Sequence, residues 1–141
     1  MPSRFHGTWR LIAYESLAPD GSVTLPFGEN PVGLLVYTPQ GAMSGQVMRR
    51  DRALLPPSYR KSGSTRQILS AFESYIAYFG TFAVDEKAQQ VIHFVEGSLY
   101  PNWIGTQQRR GFGFTENRLQ LTAVSERKQL LITNRLTWER A

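Results

Sequence analysis

Two groups that sit badly in a greasy strand, His93 and Arg110, interrupt the apolar alternation of HFVEGSLYPNWIGTQQRRGF, residues 93–112. An imidazole with an unperturbed pKa near ~6.5 can take or give a proton at neutral pH. A guanidinium presents a planar fork of donors suited to a carboxylate, a phosphate or a developing oxyanion. One reading is therefore catalytic, with His93 as acid or base and Arg110 as oxyanion stabiliser. A second makes them ligand anchors in an apolar pocket. A third makes them structural ties: a satisfied core histidine, and an arginine paired by Glu96, Glu15 or an aromatic face. Some partner is required, because burying an unpaired ion costs several kcal/mol.

Other chemistries have less to stand on. The chain has no cysteine, so it offers no thiolate nucleophile, disulfide framework or Cys-based metal site. Its two histidines, His6 and His93, are far apart and form no HxH or HExxH spacing, and no metal site is expected. No cofactor is expected either; a haem held by one histidine is the exception the residues leave open. Gly111-Phe112-Gly113 reads as a bend in a strand rather than a phosphate loop, and there is no GxGxxG or GxxxxGK[ST] pattern.

Alternation of period two supplies the elements that must position this pair. Residues 5–17 read as a strand, Asp20-Gly21 as a turn, and 33–48 as a hairpin around Thr38-Pro39-Gln40-Gly41. Residues 64–79 read as the one helix, capped by Ser64 or Thr65, with Ile68, Leu69, Phe72, Tyr75 and Ile76 on one face. Five strands follow, at 78–86, 89–97, 105–115, 118–125 and 129–140, joined by short turns. Eight or nine consecutive antiparallel strands in 141 residues close most economically into a barrel, which removes exposed edges. The chain is expected to be a single domain, 1–141.

Sorting each strand by face gives an interior that is mainly apolar with a few polar groups. Its members include Leu35 and Tyr37; Tyr78, Gly80, Phe82 and Val84; Val91, His93 and Val95; Gln108, Arg110, Phe112 and Phe114; Asn134, Leu136 and Trp138. Apolar walls with a few orienting groups suit a small-molecule pocket. The candidate ligand-binding set is Tyr37, Tyr78, His93, Gln108, Arg110, Phe112, Asn134 and Trp138. Trp103, in the Pro-Asn-Trp turn, is read as a cap over one end of the barrel.

Charge narrows the partners. The net charge is +5. Residues 49–66 hold all of that excess, with six basic side chains against Asp51 alone. One solvated loop, or a lid over the barrel, explains this better than a nucleic-acid surface. No apolar run approaches the ~20 residues of a membrane span, and MPSRFHGTWR lacks a signal-peptide core. The expectation is a cytoplasmic protein, monomer or homodimer, with a small lipophilic ligand and neither nucleic acid nor membrane as partner.

Gly7-Thr8-Trp9 on the first strand resembles the lipocalin GxW signature, and the chain closes on Leu136-Thr137-Trp138-Glu139-Arg140. With GLLVYTPQGAMS, YIAYFGTFAVDE and the HxVEGSxxPNWxG stretch, nearly the whole chain resembles the short, intracellular lipocalin-like domain proteins of bacteria and fungi. That resemblance implies an all-β, calycin-like antiparallel barrel around a central cavity, and no particular reaction. It also implies that Trp9 packs across the closed end against an arginine, with Arg140, Arg135 and Arg110 all open as partner. Three functions stay in view. The first is binding of a lipophilic molecule with an acidic or oxygenated group. The second is an isomerase, cyclase or lyase acting on a hydrophobic biosynthetic intermediate such as a polyketide or terpenoid. The third is a barrel filled by its own side chains.

Overall fold

The computed structural model describes residues 2–57 and 63–141. Nine strands make one antiparallel sheet: β1 (Gly7–Leu17), β2 (Val23–Thr24), β3 (Val32–Tyr37), β4 (Ala42–Met48), β5 (Tyr75–Asp85), β6 (Gln90–Ser98), β7 (Gln107–Thr115), β8 (Arg118–Arg127) and β9 (Leu130–Arg140). From β3 onward each strand pairs with the next, and β1 pairs with both β3 and β9. Eight strands thus form a closed barrel, with β2 attached to the end of β1 through Ser16↔Thr24 and Leu17↔Val23. The turns follow the local chemistry. Gly41, at φ 94°, closes the first hairpin by donating its N–H to the Thr38 carbonyl at 3.0 Å.

One end is a plug of aromatic side chains. The first strand begins at Gly7 rather than at residue 5, because Gly7 turns the chain at φ 127° and Phe5 folds back into the barrel. Phe5 is wholly buried and meets Tyr37 at 5.4 Å and Phe112 and Phe114 at 5.0 Å, each edge-on. Trp9, also buried, donates its indole N–H to the Phe5 carbonyl at 2.9 Å. The Arg140 guanidinium lies 4.1 Å from the Trp9 ring and donates to the carbonyls of His6 (2.7 Å) and Arg4 (2.8 Å). Of the three arginines open to Trp9 by sequence, Arg140 is the partner.

The helix departs from the sequence expectation. α1 spans Thr65–Glu73, not 64–79. Ser64 is the cap, in a reciprocal pair with Gln67: the Gln67 N–H donates to the Ser64 hydroxyl at 3.1 Å, and the Ser64 N–H to Gln67 Oε1 at 2.8 Å. Beyond it, Tyr75, Ile76, Ala77 and Tyr78 pair with Met48, Val47, Gln46 and Gly45 as the start of β5. Ladder hydrogen bonds and β-forming side chains override a helical periodicity that ran only one turn too far. The helix buries no residue fully; Phe72 faces a surface groove shared with Leu99, Tyr100 and Trp103.

Three cations of the basic segment are tied to backbone. Arg50 donates to the Asn30 carbonyl and Arg52 to that of Ala71, while Arg49 donates to the Pro26 carbonyl and pairs with Asp51 at 3.2 Å. Arg60 and Lys61 lie outside the described residues, so a lid built on them is not described.

Where consecutive β5 residues Phe79 and Gly80 pair with Gly97 and Val95, a β-bulge leaves Glu96 as the extra residue of β6. A Cβ on Gly80 would lie 1.9 Å from the Phe94 carbonyl oxygen, backbone that cannot step aside. Gly80→Ala is therefore expected to destabilise the barrel by about 1–3 kcal/mol, read as a lower urea midpoint at unchanged slope.

Candidate functional site

Inside the barrel, above the aromatic plug, is a cavity of about 430 Å³. Its walls are Leu35, Met43, Val47, Ile76, Leu121 and Leu136, one or two from each of five strands, with Trp138 and Trp103 also lining it. Tyr14, Tyr78, His93, Gln108, Arg110 and Asn134 bring the polar atoms. Among the described residues, no aspartate or glutamate lines it.

His93 stands between two phenols. Its Nε2 is 2.6 Å from the Tyr37 hydroxyl and its Nδ1 is 2.6 Å from the Tyr78 hydroxyl. Burial, with the nearby Arg110 charge adding to it, pulls its pKa down to about 3. The imidazole is thus neutral across the physiological range. Burial raises the pKa of Tyr37 well above the usual phenol value, and raises those of Tyr78 and Tyr14 too. For Tyr78 the Arg110 guanidinium opposes that rise through its charge.

Arg110 reaches the cavity because alternation along β7 turns Gln108 and Arg110 inward together. It is held by neutral oxygens only: Nη2 donates to Gln108 Oε1 at 3.2 Å and Nη1 to the Arg109 carbonyl at 3.0 Å. Gln108 is itself oriented, donating to the Thr106 hydroxyl at 2.9 Å, and Thr106 donates to the Trp103 carbonyl at 2.6 Å. The Pro-Asn-Trp turn therefore sets the angle of the arginine. Neither carboxylate considered from the sequence is its partner: Glu15 pairs with Arg135 at 3.0 Å, and Arg110 forms no ion pair among the described residues.

The other candidates divide. Asn134 accepts from the Ser16 hydroxyl at 2.6 Å and faces Ser125, on the wall formed by β8 and β9. Trp138 is buried, and its indole N–H is a donor with no acceptor among the described residues. Tyr37 and Phe112 point inward but belong to the plug beneath the cavity, Tyr37 reaching the site only through His93. His6 packs at 6.2 Å against Phe82, away from the site. Both nitrogens of His93 are engaged, so neither is free to ligate a haem iron. Alternation missed Tyr14, because a bulge between Leu11 and Ala13 shifts the face of β1 and turns Tyr14 inward. The signal was present: without a bulge, Glu15 would share the face of Trp9.

Compared with known proteins, residues 6–141 match the family described as the lipocalin-like domain. The chain belongs to the lipocalin-like domain family. Over 88 residues this lipocalin-like protein is 39% identical to the 4'-hydroxy-3'-methoxypropiophenone carrier protein ppsC of Aspergillus oryzae (strain ATCC 42149 / RIB 40), covering 58% of the present chain and 79% of the relative. Among the described residues of the lipocalin-like chain, no helix is long and apolar enough to cross a membrane.

Proposed function

We propose that the protein binds a small lipophilic molecule bearing an acidic or oxygenated group, as a carrier rather than a catalyst. The observation that carries this reading is a cation in an apolar cavity with no carboxylate to balance it among the described residues. Arg110, half-buried, is pre-aimed by Gln108 and Thr106, and the buried Trp138 N–H is a further donor with no acceptor among the described residues. Placed donors on an apolar wall orient a ligand that the wall itself attracts. The relative named as a carrier of a hydroxyaryl ketone supports the same class of ligand here, an aromatic ketone with a phenolic oxygen. A catalytic role for His93 draws little support: a base held neutral down to about pH 3, with both nitrogens occupied, is a poor proton acceptor at neutral pH.

A thermal-shift panel of aromatic ketones, lipophilic acids and neutral lipids tests this. A selective rise in Tm with oxygenated aromatics or acids is expected. Arg110→Met should fold normally, since it gives up only hydrogen bonds to Gln108 and the Arg109 backbone. Its affinity for an acidic ligand should fall about 10- to 100-fold, the loss of one charge-assisted hydrogen bond. No response from wild type to any class would sink the carrier reading.

A further inference from the structure

A count of protons over the polar groups says which form of ligand the cavity takes. Tyr37 is 1% exposed, and the only acceptor its hydroxyl has among the described residues is His93 Nε2. Were Nε2 to carry the imidazole proton, the Tyr37 O–H would be buried without an acceptor, at the cost of a stranded donor. Tyr37 therefore donates to Nε2, and the neutral ring keeps its proton on Nδ1. That N–H donates to the Tyr78 oxygen, 2.6 Å away. The neighbouring Arg110 guanidinium, which acts on Tyr78 through its charge, is likewise only a donor, so the Tyr78 proton has neither of these neighbours as a target. Tyr78 lines the cavity, and its O–H is left to point there.

The polar pole is thus made of donors: the Arg110 guanidinium and the Tyr78 O–H, with the Trp138 N–H on another wall. The titratable groups facing it are Tyr14 from β1, Tyr37 from β3, Tyr78 from β5, His93 from β6 and Arg110 from β7, with Arg127 of β8 acting on Tyr14 through its charge. All are neutral or positive at neutral pH. A ligand hydroxyl that keeps its proton must compete with Arg110 for the Gln108 oxygen, whereas an oxyanion accepts from both Arg110 and Tyr78.

We infer that the cavity selects its ligand in the ionised form, as a phenolate conjugated through the ring to a ketone, with the oxyanion held between Arg110 and the Tyr78 hydroxyl. The inference rests on the proposed binding function and adds the charge state and the specificity-determining pair. Acyl substitution para to a phenol spreads the negative charge onto the carbonyl, so such phenols ionise well below the ordinary value near ~10 and are within reach of one cation. An opposite charge at hydrogen-bonding distance lowers a pKa by about 1–3 units.

Ionisation of a para-acyl phenol moves its absorbance band to longer wavelength, which makes the charge state directly visible. The probe is 4'-hydroxy-3'-methoxyacetophenone, titrated with the protein about one unit below its own pKa in buffer. Its methyl ether, which cannot ionise, is titrated alongside. The expected result is a saturable shift to the phenolate band, a bound pKa lowered by about 1–2 units, and methyl-ether binding at least about tenfold weaker. Arg110→Met should abolish the band shift, and Tyr78→Phe should reduce it; if Tyr78→Phe fails to fold, wild type and Arg110→Met still decide the matter. Binding of both probes equally, with the neutral spectrum retained, would overturn the inference while leaving the carrier reading intact. A Tm response to other ketones or acids with none to this probe would also overturn it. Silence from every compound would remove both.

Discussion

Replacing His93 with glutamine is expected to flatten the acid limb of the protein's stability curve. His93 is 2% exposed and its folded pKa is lowered from 6.5 to about 3. Below pH 6.5 the unfolded chain binds a proton that the folded chain refuses, so stability falls as pH falls. The loss starts near pH 6.5, runs at up to about 1.4 kcal/mol per pH unit, and ends near pH 3, where the folded state takes up the proton as well. Integrated, it approaches ~5 kcal/mol, a large share of the ~5–15 kcal/mol that holds a typical domain together. Above pH 6.5 the group contributes no pH dependence. Asp20, Asp51 and Glu86 have lowered pKa values, so their stabilisation is lost only as pH falls below the ordinary carboxylate range. Urea midpoints at pH 7, 6 and 5 therefore isolate the histidine. Wild type should lose stability across this series, and His93→Gln should not. An equal slope in both proteins would show that His93 titrates freely and that the two tyrosines do not enclose it. His93→Phe, which strands the Tyr37 hydroxyl, should cost a further ~1–3 kcal/mol at every pH relative to His93→Gln.

Trp9→Ala is expected to be the most damaging single truncation at the closed end, at about 3–5 kcal/mol. The indole is 1% exposed, sits 6.2 Å from Phe114 and holds the Phe5 carbonyl. Its loss opens a hole and frees the plug that seals the barrel. Arg140→Met should cost less, about 1–3 kcal/mol, from one cation–π contact and two hydrogen bonds to the Arg4 and His6 carbonyls. Neither residue lines the cavity, so surviving folded protein should keep its ligand affinity within a few fold. Urea unfolding combined with ligand titration separates the two effects. A Trp9→Ala protein of near wild-type stability but lost binding would reverse the assignment and place Trp9 in the site.

Closure into a barrel was legible because the later strands alternate cleanly. Once β5 to β9 are recognised, pleating alone turns Tyr78, His93, Arg110, Asn134 and Trp138 to one side, and a closed sheet makes that side the interior. The GxW start and the Trp-Glu-Arg finish were legible for the same reason: they are local. Three things were not. The bulge at Leu11/Ala13 brings Tyr14 in, and strict alternation overrides its one local sign, a Glu15 that would otherwise share the face of Trp9. The helix stops at Glu73 because Tyr75 to Tyr78 find partners on β4, a competition between local and cross-strand hydrogen bonds that only the assembled sheet resolves.

The charges are the clearest case. Sequence by itself determined that an imidazole and a guanidinium enter an apolar interior, since that depends on spacing along single strands. Which groups meet them depends on shear between strands and on where the cavity ends. Tertiary structure alone paired Glu15 with Arg135, stacked Arg140 on Trp9, and set His93 between two phenols from β3 and β5. What was left over is Arg110, a buried-side cation held by Gln108 and one backbone carbonyl. That it has no counter-ion among the described residues is a property of the assembled barrel, because each carboxylate described had first to be placed somewhere else.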